Sequence, residues 1–172
     1  FKSISVREES GVKLVETLSG RTDAKCLLDP TLLQNAAFYN EIIAKSGIRR
    51  DKVNEPYVFN YILDEWSNVS EMQTALGVVK DKLNISNVVT DRKYAPGLLS
   101  LLCRVLGVKA KIKVPEWLEA IASSEFVFTN SFHGTVFSIL FHKPFVSVVI
   151  KGKMSGMNER ALSLLKNIGL ED

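Results

Sequence analysis

Short apolar runs, rich in β-branched and aromatic residues, alternate along the chain with longer stretches in which apolar residues recur every three or four positions. The first pattern predicts buried strands and the second predicts amphipathic helices. The predicted strands are residues 2–6, 25–28, 57–63, 87–90, 108–114, 126–128 and 145–148. The predicted helices are residues 12–18, 67–83, 95–106, 115–122, 132–141 and 158–168, with Leu162, Leu165 and Ile168 of the last one facing inward.

This alternation predicts an α/β fold with a Rossmann-like, mostly parallel sheet and helices on both of its faces. The charged residues 49–52 suggest a boundary between two units. Residues 1–56 then form the tail of an incomplete N-terminal α/β domain, and residues 57–172 form a Rossmann-like C-terminal domain. The first residue is Phe1 rather than Met, so we expect the chain to be an excerpt of a longer protein.

Composition and charge exclude several classes of function. The net charge of the 172 residues is only +3, and no basic run is interleaved with aromatic residues, so we expect no nucleic-acid partner. Cys26 and Cys103 are isolated, which disfavours a zinc site or a disulfide scaffold. No secretory leader and no apolar run of membrane-spanning length is evident, so we expect a cytoplasmic protein, which is compatible with peripheral contact to a membrane.

The candidate chemistry is concentrated between the strand at 126–128 and the helix that follows it. Parallel α/β sheets bind ligands at the carboxyl ends of their strands, and a helix start offers unpaired N–H groups to an anion. His133 falls in the first turn of this helix. A single histidine in such a place is more often structural than chemical, but Asn130, Ser131, Gly134 and Thr135 surround it with small, polar groups.

Cations that could bind an anion occur at several predicted strand ends. Arg7 follows the first strand, where it could instead pair with Glu8 or Glu9. The other candidates are Arg92, Lys93, Lys151, Lys153 and Arg160, and for Lys151 and Lys153 an ordinary exposed loop is an equally good explanation. Asp29 is interpreted as a cap or turn former. Neither a metal site nor a pair of catalytic carboxylates is indicated.

Several motifs together resemble one known family. They are TNSFHGT at 129–135 followed by KPF at 143–145, ISVREES at 4–10, LDPT at 28–31 and DRKYAPG at 91–97. With these motifs the chain resembles the polysaccharide pyruvyl transferases over nearly its whole length. The family's usual glycine-rich amino-terminal segment is lacking, and we expect it to be a partner of this chain.

The resemblance implies an enzyme that moves a pyruvyl group from phosphoenolpyruvate to a sugar or lipid-linked oligosaccharide, forming a ketal without a cofactor. It also implies two facing Rossmann-like domains, as in GT-B glycosyltransferases, of which this chain supplies the C-terminal half. We assign general acid and base catalysis to His133 and binding of the donor's anionic groups to Arg7. The predicted substrate-binding residues are Asn130, Ser131, Gly134, Thr135, Arg92, Lys151, Lys153 and Arg160.

Two other functions remain open at this point. A GT-B-type glycosyltransferase would use the same helix start to bind the diphosphate of a nucleotide-sugar. Alternatively, the chain is a folded half-module that supplies only a binding surface to the rest of a longer protein. Under the leading interpretation too, we expect this chain to be inactive alone, because half of the cleft would be missing.

Overall fold

A computed structural model describes residues 1–48, 55–63, 69–90, 92–93 and 110–170. The strands are β1 (Ser5–Val6), β2 (Lys25–Cys26), β3 (Tyr57–Tyr61), β4 (Asn87–Thr90), β5 (Arg92–Lys93), β6 (Ala110–Lys111), β7 (Phe126–Thr129) and β8 (Phe145–Ser147). The α-helices are α1 (Glu9–Ser19), α2 (Ala36–Lys45), α3 (Val69–Leu83), α4 (Val114–Ala122), α5 (Phe132–Leu140) and α6 (Asn158–Asn167). Two 3₁₀ turns, Pro30–Leu33 and Gly152–Met157, precede α2 and α6.

The main sheet has the strand order β4-β3-β7-β8, and every neighbouring pair in it is parallel. Helices cover both sides of this sheet, which confirms the mixed α/β class with parallel strands. Strands β1 and β2 form a separate parallel pair, and β5 pairs with β6 in antiparallel fashion. Parallel strands covered on both faces are apolar along their whole length, and Val58, Phe59 and Val127 are accordingly completely buried.

The largest hydrophobic cluster lies between the main sheet and helices α2, α4 and α5. It joins Phe59 and Val127 of the sheet to Ile43 of α2, Leu118 of α4 and Phe137 of α5. Helix α2 comes from the part of the chain that the sequence assigned to a separate N-terminal domain. The structure thus packs part of residues 1–56 against the main sheet, and the proposed division into two domains remains a prediction.

A second, smaller cluster fixes helix α6 and corrects one expectation. Leu164 of α6 is buried against Phe132 and Val136 of α5. Leu162 and Ile168, which were expected to face inward, are exposed, with 54% of Leu162 accessible to solvent. The inward face of α6 is offset by about one position, because Ala161 and Leu164, rather than Leu162, pack in the cluster with Phe132 and Val136.

Strand β5 was not predicted, and helix α2 is more regular than the weakly helical pattern of residues 32–46 suggested. The other differences concern element ends. The predicted strand at 108–114 is limited to Ala110–Lys111 among the described residues, because helix α4 already begins at Val114, one residue before its proline. The predicted helix at 95–106, which contains Cys103, lies outside the described residues. No helix in the described ranges has the length and apolar character needed to cross a bilayer.

The close approach of α5 to β7 generates the first prediction. A Cβ atom at Gly134 would collide with the side chain of Thr129, which is completely buried. We expect Gly134→Ala to lower the free energy of unfolding by about 1–3 kcal/mol, because a packed core resists added atoms. Urea denaturation measures this change.

Gly77 of helix α3 provides the matched control, because a Cβ there would meet no atom within 4 Å. Gly77→Ala should leave the chain unchanged or stabilise it by up to about 1 kcal/mol, since alanine favours helix. Equal stability of the two variants would show that the contact between Gly134 and Thr129 does not constrain the start of α5.

Candidate active site

The turn between β7 and α5 is built by side chains that hydrogen-bond to the backbone. Ser131 is the N-cap of α5, and its hydroxyl accepts a hydrogen bond from the N–H of Gly134 at 3.3 Å. The N–H of Ser131 in turn donates to the hydroxyl of Thr129 at 3.0 Å. These bonds fix the direction in which the helix leaves the sheet, and they place His133 in its first turn.

Two more of the predicted site residues hold this turn against neighbouring strands. The amide of Asn130 accepts from the N–H of Leu63 at 2.7 Å and donates to the carbonyl of Leu63 at 3.1 Å, which joins the chain beyond β3 to the end of β7. Thr135 is completely buried and its hydroxyl lies 3.0 Å from that of Ser147 in β8. The side chains of Asn130 and Thr135 therefore shape the site, and their direct contact with substrate remains a prediction.

Arg7 forms an ion pair with Asp29. Its Nη1 atom lies 2.6 Å from Oδ2 of Asp29, a carboxylate that is only 5% exposed. The other oxygen of Asp29 accepts from the N–H and the hydroxyl of Thr31 at 2.9 and 2.5 Å. Burial raises the pKa of Asp29, but the hydrogen bonds from Thr31 and Arg7 outweigh it and lower the pKa to about 2.

His133 lies beside this ion pair and reaches solvent. Its side chain is 50% exposed, and its Nε2 atom is 4.0 Å from Oδ2 of Asp29. Partial burial lowers the pKa of His133 below its ordinary value; Asp29 opposes this effect, whereas Arg7 and Arg160 add to it. The imidazole is therefore an accessible group whose protonation responds to three neighbouring charges.

Phe132 brings the two arginines together. The guanidinium of Arg7 lies 5.4 Å from the centre of the Phe132 ring, and that of Arg160 lies 5.7 Å from the same centre. The ring of His133 meets Phe132 edge-on, with the ring centres 5.3 Å apart. Three of the predicted site residues, Arg7, His133 and Arg160, thus surround one largely buried aromatic ring.

Of the remaining predicted substrate-binding cations, only Lys151 has a described side chain, and it forms a separate ion pair. Nζ of Lys151 pairs with Oε2 of Glu71 at 2.8 Å on the exposed surface. Arg92 belongs to β5, but its side chain, like that of Lys153, lies outside the described part of the structure. Their roles as substrate-binding residues therefore remain predictions.

Sequence reasoning missed two residues that organise the site. Asp29 was interpreted only as a cap, and Phe132 was not singled out at all. The signal that could have drawn attention to Phe132 was its position directly before His133. The partner of Arg7 could not be read from the sequence, where Glu8 and Glu9 are closer to it. In the described ranges, no three His, Cys, Asp or Glu side chains are grouped as metal ligands would be.

Comparison with known families decides the relationship. The family model described as polysaccharide pyruvyl transferase matches residues 1–152, which is most of the chain. The chain belongs to the polysaccharide pyruvyl transferase family. No curated protein matches it significantly. In this pyruvyl transferase family member, Arg7, Asp29 and His133 lie within the matched range, whereas Arg160 on α6 lies beyond it.

The ion pair of Asp29 predicts a specific dependence of stability on pH. Because the pKa of Asp29 is lower in the folded chain, the unfolded chain binds more protons between about pH 4 and pH 2. The stabilisation is complete above about pH 4 and is lost as the pH falls toward 2, and it amounts to about 2 kcal/mol. Urea unfolding across this range should show a smaller loss of stability in Asp29→Asn than in the wild type. Parallel pH curves for the two proteins would contradict the contribution of this carboxylate.

Proposed function

We propose that this chain provides the donor site of an enzyme that transfers the pyruvyl group of phosphoenolpyruvate to a sugar of a surface polysaccharide or its precursor. The observation that carries the proposal is the grouping of Arg7, His133 and Arg160 around the start of helix α5. Membership of the family supports the same class of reaction. The product is a cyclic ketal that joins the pyruvyl carbon to two hydroxyl oxygens of the acceptor.

Phosphoenolpyruvate carries a carboxylate and a phosphate on a three-carbon skeleton, so its site needs several positively charged groups close together. Arginine suits such groups because its planar guanidinium can form two parallel hydrogen bonds with one of them. Arg7 is 36% exposed and Arg160 is partly exposed, so both can reach a ligand from the solvent side. The N-terminal end of α5 adds the partial positive charge of a helix.

The reaction begins with transfer of a proton to the methylene carbon of the donor. The neighbouring carbon then carries positive charge and is attacked by one acceptor hydroxyl, whose proton passes to the group that protonated the methylene carbon and restores it. Cleavage of the bond to phosphate and attack by a second hydroxyl complete the ketal, and the released phosphate carries away the second proton. We assign the first proton transfer to His133, because its imidazole is exposed beside both arginines and imidazole is the side-chain group that most often transfers protons in enzymes.

Donor binding would also prepare His133 for this step. In the free chain, Arg7 and Arg160 both lower the pKa of His133. A bound phosphate and carboxylate would offset these positive charges, and the pKa of the imidazole would therefore rise. The donor itself thus favours the protonated form of His133 that starts the reaction.

We place the acceptor in a cleft between this chain and a second Rossmann-like domain, as in the GT-B arrangement.

Replacement of His133 tests this assignment. We expect His133→Ala to lower kcat by about 10²- to 10⁴-fold, because a positioned acid contributes that much to catalysis. In the wild type, kcat/KM should fall as the pH rises through the lowered pKa of His133, and this dependence should be absent in the variant. Steady-state release of phosphate, measured against pH, gives both quantities.

His142 supplies the matched control for this experiment. It is exposed and has a left-handed backbone with φ of 53°, which asparagine tolerates well. His142→Asn should keep the wild-type rate and pH dependence. Near-normal pyruvyl transfer by His133→Ala would exclude His133 as the general acid.

Ligand-induced stabilisation tests the donor separately from catalysis. Phosphoenolpyruvate at 100 times its Kd should stabilise the chain by about 2.7 kcal/mol, seen as a higher Tm. A nucleotide diphosphate should produce a much smaller shift. The reverse order would favour a glycosyltransferase, and stabilisation by phosphoenolpyruvate without turnover would favour a half-module that binds the donor but needs another domain.

A further inference from the structure

We propose that Asp29 is a positioning residue for pyruvyl transfer: it holds the guanidinium of Arg7 at the start of α5 and balances the positive charge that the two arginines impose on His133. This inference rests on the function proposed above. It gives Asp29 a role beyond capping, and the role follows from how its two oxygens are used.

The two carboxylate oxygens of Asp29 have different partners. Oδ1 makes both contacts of a cap, with the N–H and the hydroxyl of Thr31. Oδ2 takes no part in the cap; it accepts from Nη1 of Arg7 at 2.6 Å and lies 4.0 Å from Nε2 of His133. A cap needs only the first oxygen, and an asparagine would serve it equally well. Only a carboxylate can supply a charged second oxygen to the arginine and the histidine.

Asp29 restrains Arg7 without using up its capacity to bind a ligand. A guanidinium has five N–H donors, and the contact with Asp29 occupies one terminal nitrogen, Nη1. The ring of Phe132 supports the same guanidinium from another direction. Because Asp29 is itself buried and held by Thr31, the restraint is rigid. The remaining donors of Arg7 are thereby oriented before the substrate arrives, which lowers the entropic cost of binding it.

The charges that face His133 come from three separate elements. Arg7 follows β1, Asp29 caps the first 3₁₀ turn, and Arg160 belongs to α6. The two guanidiniums oppose protonation of the imidazole, and Asp29 favours it. Loss of Asp29 would leave His133 beside two uncompensated positive charges, and loss of Arg7 would have the opposite effect.

Titration of the histidines by NMR tests this arrangement without any assay of activity. The chain has only two histidines, so His142 serves as an internal reference. In Asp29→Asn, the titration midpoint of His133 should move to lower pH than in the wild type. In Arg7→Gln, it should move to higher pH. The midpoint of His142 should stay constant in both variants.

Asp23→Asn is the matched control. Asp23 also pairs with an arginine, Arg21, at 2.5 Å, but on the exposed surface. Its replacement removes the same charge and should leave the midpoint of His133 unchanged. If Asp29→Asn fails to fold, the direction in which the titration midpoint of His133 shifts in Arg7→Gln still tests the charge arrangement around His133. An unchanged midpoint in Asp29→Asn, or a downward shift in Arg7→Gln, would overturn the proposal.

Kinetics complete the test and separate this inference from the proposed function. Asp29→Asn should lower kcat/KM for phosphoenolpyruvate by about 10- to 100-fold, since misplaced binding groups cost that much, and its pH profile should move to lower pH. Normal transfer by this variant, with an unchanged pH profile, would overturn the role of Asp29 alone. The protein could instead show both predicted shifts of the His133 midpoint, downward in Asp29→Asn and upward in Arg7→Gln, without transferring a pyruvyl group. That result would overturn the proposed function and support the charge arrangement.

Discussion

The contact between Asp29 and the residues around the start of helix α5 is the interaction on which the site depends. It joins the first 3₁₀ turn, the segment after β1 and the helix that follows β7, three parts of the chain that are far apart in sequence. A carboxylate that is 5% exposed is costly to bury without partners, so Asp29 stabilises the fold only while Thr31 and Arg7 donate to it. The same bonds that satisfy the buried charge also place a guanidinium beside an exposed imidazole.

A second constraint acts within α5 itself. Gly134 allows the helix to approach Thr129 more closely than any side chain would permit. Thr129 donates to the carbonyl of Tyr61 at 2.7 Å, so the position of the helix is tied to β3 as well as β7. The polar residues of the TNSFHGT run therefore divide into two groups: most are buried and build the turn, and His133 projects into solvent.

The sequence predicted the local structure of this region well. The strand at 87–90 and the succession β7, α5 and β8 have the expected order and nearly the expected bounds, because short β-branched runs and cap residues are local signals. The position of His133 in the first turn of α5 is likewise a consequence of nearby residues.

The sequence did not reveal features that depend on distant contacts. The exposure of Leu162 follows from how α6 packs on α5, and periodicity alone could not choose between adjacent faces of that helix. The pairing of Arg7 with Asp29, rather than with its neighbours Glu8 and Glu9, depends on where β1 and β2 lie beside each other. Arg7, His133 and Arg160 could thus be named as candidates from the sequence, but the contact between Arg7 and the carboxylate of Asp29 could not.

A crystal structure of the chain with phosphoenolpyruvate bound tests the central claim most directly. The account predicts that the donor's anionic groups lie at the start of α5, within hydrogen-bonding distance of Arg7, with the imidazole of His133 next to the methylene carbon. A donor bound elsewhere, or bound at this helix with its methylene carbon out of reach of His133, would contradict the account.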